Sequence, residues 1–382
     1  MHAPRRSGSP RGGPFTSKAV ATRTNAMEQL DLPRIGMLPA GELDSIGDVP
    51  GVTVGHFTLA QGARQTGVTV VRPHEGDPFR NKVPAAATVL NGFGKSCGLI
   101  QVEELGVLET PIALTNTFAV GAVANAQIRQ AIGANPQIGR AWPTVNPLVF
   151  ECNDGYLNDI QAQAVAEAHY EQAWRSAASV FEQGSVGAGR GMSSFGLKGG
   201  VGSASRLAQA YPGQRYTVGA LVLSNFGRRA SMTIAGRPFG RRLAAASHDG
   251  EPAGQPEQGA IILVLATDAP LDSRQLRRLS LRAGAGLART GSVFGHGSGD
   301  IALAFSTAYT IPHLAERGMP VQAMLHETRI DALFEAAAEA VEQAIVAALW
   351  RAETVAGRDG HVRRAIREAA PQWRQWLAET AF

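Results

Sequence analysis

The chain has 382 residues, of which 44% are hydrophobic, 18% charged and 6% aromatic, with 44 Gly, 21 Pro and two Cys. That apolar fraction supplies a large core and excludes disorder as the main state, while a net charge of +4 spread along the chain excludes a nucleic-acid reader built on one basic block. Cys97 and Cys152 lie far apart with no CxxC spacing, so neither a disulfide framework nor a thiolate metal site is implied, and a reducing cytoplasm is the expected compartment.

Residues 1–34 read as a flexible tail, because their positive charge is not followed by the apolar segment of a secretory signal. Arg5, Arg6 and Arg11 offer charge to an acidic partner; a solvated extension, or a start better placed at Met27, is the simpler reading. GDVPGVTVGHFTLA and GVTVVRP are β-branched runs bounded by Gly and Pro, the pattern of a hairpin or of neighbouring strands. AAATVLNGF and TPIALTNT are continuous apolar runs, as expected of strands covered on both faces. A helix is predicted from Ala119, and another from Asn158 to Gln183 behind a polar Asn-Asp cap. Strands follow at Tyr216–Gly227 and Ala260–Pro270, the second containing the longest clean apolar run, far short of the roughly 18 residues of a membrane helix. Asp272 is placed to cap a helix with Leu276, Leu279, Ala283 and Leu287 on one stripe. DIALAFSTAY, from Asp300, is a further strand, and Ile330–Thr354 carries the apolar spacing of a long amphipathic helix. No repeat or linker divides residues 35–382, so one layered α/β domain is expected. The polar stretch Ser247–Gly259 breaks the pattern as a flexible loop running straight into the buried strand.

Three short signatures are weighed first. GFGKS at Gly92 lacks the first glycine of a phosphate loop, which falls on Val89, and HETRI at His326 has Ile330 where H-E-x-x-H needs its second imidazole. Neither metal nor nucleotide cofactor is expected. Gly94-Lys95-Ser96-Cys97-Gly98 fits G-x-S-x-G between a strand and a helix, which leaves a Ser96 hydrolase, completed for example by Asp300 and His313, as an alternative.

A stronger constellation is spread over FECNDGYLND, GAGRGMSSFGLKGGVGSASR, LVLSNFG, QGAIILVLATDAPL and GHGSGDIALAFST. In these motifs and their order the chain resembles, from about Ile46 to Gly360, the DmpA-type peptidase family of L-aminopeptidase/D-amidases and β-peptidyl aminopeptidases. The resemblance implies a four-layer α/β/β/α sandwich made as one chain, which cleaves itself before a serine and uses that serine as an N-terminal nucleophile. The cut then falls between Gly259 and Ala260, giving an α portion to 259 and a β portion from 260 to 382. It also implies a homotetramer acting on small peptides, amides or esters by removing small N-terminal amino acids (L-α, D-α or β) through an acyl-enzyme. No cofactor, nucleic acid or membrane enters.

Carried over residue by residue, Ser298 and Asp300 match the pair that holds the nucleophile and its amine. Asn225 matches the oxyanion-hole amide. Glu151 matches the carboxylate that binds the substrate ammonium; by residue type alone, Trp142 reads either as a substrate-pocket wall or as an ordinary core aromatic. The chain departs from the family at the reacting position, because residue 260 is Ala. Without that oxygen there is neither self-cleavage nor acyl-enzyme. Either a Ser→Ala change traps an inactive precursor, which the intact surrounding motifs favour, or a natural pseudoenzyme binds an amine-bearing ligand without turnover. Cys152 reads as a small buried filler, and Gly187–Arg206 as close-packed backbone near the site.

Overall fold

The computed structural model describes residues 31–246 and 258–379; most of the expected tail and residues 247–257 of the expected loop lie outside the described residues, while the last two residues of that stretch, Gln258 and Gly259, belong to a strand instead. Thr53–Gln61 (β1) and Arg64–Arg72 (β2) form the antiparallel hairpin that the β-branched runs predict, with Val54 opposite Val71. Asn81–Gly92 (β3), helix Leu99–Leu105 (α1), Ile112–Asn116 (β4), helix Val120–Ala134 (α2), Leu148–Cys152 (β5) and helix Glu167–Arg175 (α3) follow. Then come Gly200–Tyr211 (β6), Gln214–Asn225 (β7), helix Phe239–Ala246 (α4), Gln258–Thr267 (β8), helix Ser273–Arg289 (α5), Gly297–Ser306 (β9) and helix Asp331–Trp350 (α6).

The strands make two main sheets, one ordered β1-β2-β4-β5 and the other β3-β9-β8-β7-β6, with the short strand Ile311–Pro312 outside β3. Their facing sides share one core. From the first sheet come Val54, Val71, Leu114 and Phe150, and from the second Ala260, Ile262, Val264, Leu223 and Leu303. In β8 the side-chain period of two sends Ala260, Ile262, Val264 and Ala266 into this core and the residues between them to the other face. Each fully buried aliphatic there stabilises the fold by about 1.5–3 kcal/mol. α2 and α3 pack on the outer face of the first sheet around Val68, Val70 and Tyr170, and α5 and α6 pack on the outer face of the second. The layer order is therefore α/β/β/α.

The cap predicted at Asp272 forms a full capping box: its side chain accepts from Gln275 N at 2.7 Å, and Gln275 Oε1 accepts from Asp272 N at 3.2 Å. The stripe Leu276, Leu279, Ala283 and Leu287 is wholly buried. Two helix expectations need correction. Within Asn158–Gln183 only Glu167–Arg175 is α-helical, because Asn158 spends its side chain on Gln65 N and Asp154 Oδ1, and Asp159 N donates to Ala63 O instead of entering a helix. The last long helix, α6, is buried almost all round rather than amphipathic. Residues 35–38 cover its polar groups: Ile35 N donates to Gln343 Oε1, and Met37 N and Leu38 N donate to Glu339. The fully buried Arg206 donates to both side chains, which gives these two polar groups a partner inside the core.

Candidate active site

At the head of β8 the sequence Gln258-Gly259-Ala260 enters the second sheet between β7 and β9. Ala260 stands opposite Asn225 in the antiparallel ladder and beside Gly299 in the parallel one, with Gly259 beside Ser298. Gly259 has φ +129°, and a Cβ there would lie 2.0 Å from the Asn225 carbonyl oxygen, so only glycine fits ahead of residue 260. Gly299 is held bare for a similar reason, since a Cβ would come within 2.8 Å of Phe93 O. Together these glycines leave the backbone at 259–260 uncovered along one wall of a cleft of about 780 Å³, into which Glu151, Asn153, Asn225, Gly259 and Ala260 all open.

Two polar side chains in that cleft are fixed by their neighbours. Asn225 Oδ1 accepts from Ser193 N at 2.8 Å and its Nδ2 donates to Asn153 O at 3.0 Å. This pattern fixes which end of the amide is nitrogen, on a residue that pairs with Ala260 in the ladder. Glu151 is the next-to-last residue of β5, alternating with Phe150 and Cys152, which point into the core. Its Oε1 accepts from Lys95 N at 2.7 Å and its Oε2 from the Thr117 hydroxyl. The result is a nearly buried carboxylate, 4% exposed, aimed by two donors.

Ser298 and Asp300 do not line the cleft. Both are fully buried on β9, two residues apart on one strand face, with Ser298 Oγ donating to Asp300 Oδ1 at 2.5 Å. Asn91 Nδ2 donates to the backbone oxygens of Gly295, His296 and Ser298, which pins the turn entering that strand. Cys152 is core: burial, then the Glu151, Asp300 and Asp154 carboxylates, push its thiol well above the usual range, so it is no nucleophile.

Trp142 lies away from these groups and is corrected as a pocket wall. It packs with Phe79, Ile138 and Val145 in a satellite core, 5.3 Å from the His313 ring and beneath the Arg80 guanidinium. The Ser96 arrangement does not assemble either. Ser96 Oγ is buried without a hydrogen-bond partner, His313 Nδ1 contacts Lys82 Nζ at 3.1 Å, and Asp300 is engaged by Ser298. Lys95, the lysine of the incomplete phosphate loop, lies over the Phe93 ring, and His326 Nδ1 contacts Thr328 Oγ1.

The glycine-rich stretch at 187–199 closes around a fully buried Lys198, whose ammonium donates to Gly189 O and Gly199 O at 2.8 Å each. Burial pushes Lys198 well below its usual range and lifts the nearby Asp154 carboxyl to about 7. An unfolded aspartate titrates near 3.9, so the native state binds this proton more tightly. The resulting stability is full below about pH 4 and is lost as pH rises through about 7. Asp154→Asn should flatten that slope: in melts at pH 4, 6 and 8, the variant's melting temperature is expected to gain on the parent's at each step.

Sequence reasoning passed over the residues that aim the named ones, Thr117 and Lys95 for Glu151, and Ser193 and Asn153 for Asn225. The only signal was their place at strand ends inside the quoted motifs. It also passed over Arg358 and Arg363, which line the same cleft from later in the chain, together with Tyr156 of the motif FECNDGYLND.

Three comparisons place this arrangement. The profile of peptidase family S58 matches residues 44–363. The β-peptidyl aminopeptidase BapA of Sphingosinicella microcystinivorans is 39% identical over 345 residues, covering 84% of this chain and 85% of that one. The solved β-aminopeptidase of a Burkholderia sp. superposes with a TM-score of 0.83 at 40% identity, covering 93% of this chain and 99% of that one. The L-aminopeptidase D-Ala-esterase/amidase of Ochrobactrum anthropi, described as a variant of the Ntn hydrolase fold, gives 0.81 at 34% identity, covering 91% and 99%.

Proposed function

The chain belongs to peptidase family S58, and from that premise we propose that it is the uncleaved, inert form of a serine aminopeptidase whose nucleophile position is Ala260. The observation that carries the reading is the setting of that methyl group. It heads a buried strand after a glycine no other residue can replace, and faces an oriented amide in a cleft that holds one aimed carboxylate.

With Ser at 260, Oγ attacks the Gly259 carbonyl carbon, the residue-260 nitrogen takes the proton and leaves, and water hydrolyses the ester to a Gly259 carboxylate and a free α-amine. That amine, with a reference pKa of about 7.7–8.0, is the base for the adjacent hydroxyl near neutral pH. Ser298 and Asp300, beside this bond in the ladder, hold the new terminus. Asn225 donates to the oxyanion, and Glu151 receives the substrate's ammonium, which gives exopeptidase selectivity a Coulombic basis. The substrate class is a short peptide, amide or ester with a small free N-terminal residue (L-α, D-α or β), as the named relatives suggest. Assembly as a cytoplasmic homotetramer belongs to the same proposal. Among the described residues no helix is long and apolar enough to cross a membrane.

Installing serine by Ala260→Ser tests the reading. Scission after Gly259 together with hydrolysis of alanine p-nitroanilide supports it. A substituted chain that stays whole and silent instead makes this a pseudoenzyme, a binder of amine-bearing ligands.

A further inference from the structure

Asn225 is held by two backbone groups, and both belong to one packed unit. Ser193 N, which donates to Asn225 Oδ1 at 2.8 Å, lies in a short hairpin whose strands are Ser193–Ser194 and Leu197–Lys198. Asn153 O, which accepts from Asn225 Nδ2 at 3.0 Å, precedes the buried Asp154. Asp154 packs on Gly191 so closely that a Cβ on that glycine would lie 2.8 Å from its own. The direction of the carboxamide therefore follows the place of this hairpin.

The hairpin is fastened at both ends. At its tip Phe195 and Gly196 take φ of +54° and +70°, the left-handed pair that a tight two-residue turn needs and that a bulky residue such as Phe rarely adopts. Phe195 is kept there by the chain just past β7: its N donates to Phe226 O at 2.9 Å, and its ring meets the Phe226 ring edge-on at 5.0 Å. Ser194 Oγ lies 2.8 Å from Ser224 Oγ, so both chain neighbours of Asn225 are tied to the hairpin.

At its base the fastening is Lys198. It stands opposite Ser193 in the hairpin ladder, and its ammonium donates to Gly189 O, ahead of the hairpin, and to Gly199 O, just past it, at 2.8 Å each. One cation thus staples the entry and the exit of the loop that carries Ser193 N. Burying an ammonium is costly, and an apolar side chain could fill the same space; what lysine adds is direction, through two charge-assisted bonds to fixed carbonyls. Being fully buried, Lys198 touches no substrate, and its contacts reach the reacting position by way of Ser193 and Asn225.

We propose that Lys198 is a positioning residue for the oxyanion donor: by stapling the loop over 189–199 it fixes Ser193 N, and through it the carboxamide of Asn225. The proposal rests on the aminopeptidase reading and adds to it a residue that no contact with substrate would reveal.

Lys198→Met in the Ala260→Ser protein tests it, because Met keeps an unbranched side chain and removes the donors. With rates taken per cleaved chain, kcat for alanine p-nitroanilide should fall by about tenfold to a hundredfold while KM changes by less than about twofold, the mark of a transition-state donor moved slightly out of place. The decisive reading is a cycle with Asn225→Ala: once the carboxamide is gone, Lys198→Met should cost less than about twofold more. A fall in kcat that repeats in full without Asn225, a rise in KM at constant kcat, or an unaltered enzyme overturns the proposal while the aminopeptidase reading stands. If Lys198→Met does not fold, the same cycle is run from an Asp154→Asn parent, in which the opposite buried charge is removed as well, and the same outcomes decide. An Ala260→Ser protein that neither cleaves nor turns over ends the aminopeptidase reading, and this proposal falls with it.

Discussion

Ala260→Ser is expected to convert a single 40.2 kDa species into two fragments, the second beginning at residue 260, and to bring hydrolysis of alanine p-nitroanilide from background to at least about 10⁶-fold above the uncatalysed rate. The change adds one oxygen at a position that is only 4% exposed, beside a glycine that leaves room for it and opposite an amide already oriented. The electrophile is equally prepared, because the positive φ of Gly259 turns its backbone into a conformation that a residue with a side chain rarely adopts. Order in time is part of the prediction. In the proposed mechanism the general base is an α-amine that exists only after the cut, so activity should rise in step with the cleaved fraction on a denaturing gel. Its pH dependence should follow a group titrating near 7.7–8.0. Turnover by a preparation that remains one chain would contradict the mechanism. Gly259→Ala in the same background should suppress cleavage and turnover together, since its Cβ meets the Asn225 carbonyl at 2.0 Å.

Much of this was legible in the sequence because strong local patterns decide it. The capping box at Asp272 and the stripe behind it depend on residues three and four apart, and the β1–β2 hairpin on two adjacent β-branched runs. What failed depended on partners distant in sequence. Asn158 resembles a helix cap until Gln65 and Asp154 claim its side chain, and α6 looks one-sided until residues 35–38 and Arg206 satisfy its polar groups. The site shows the same division. Glu151, Asn225, Gly259 and Ala260 line one cleft, and each had been singled out by motif. Trp142 was chosen by residue type alone, and the structure sends it to another core. Arg358 and Arg363 carry no motif, so only the fold brings them to the cleft.

In the Ala260→Ser background, Asn225→Ala should lower kcat by about 10²–10³-fold with little change in KM, the signature of a donor that acts on the transition state rather than on bound substrate. A buried amide could equally be lost for structural reasons, because its removal leaves Ser193 N and Asn153 O without their partner at a cost of about 1–3 kcal/mol each in stability. The melting temperature reads that part separately, and a well-folded variant with reduced kcat assigns the remainder to the oxyanion. Asn225→Asp sharpens the distinction. One carboxylate oxygen can still accept from Ser193 N, preserving that clamp, but the other replaces the donor with a negative charge where the oxyanion must form. If Asn225 serves only to hold the 193 loop, the aspartate variant should turn over faster than the alanine one. If its N–H is the oxyanion donor, the aspartate variant should be the slower of the two despite keeping more of the native hydrogen bonding.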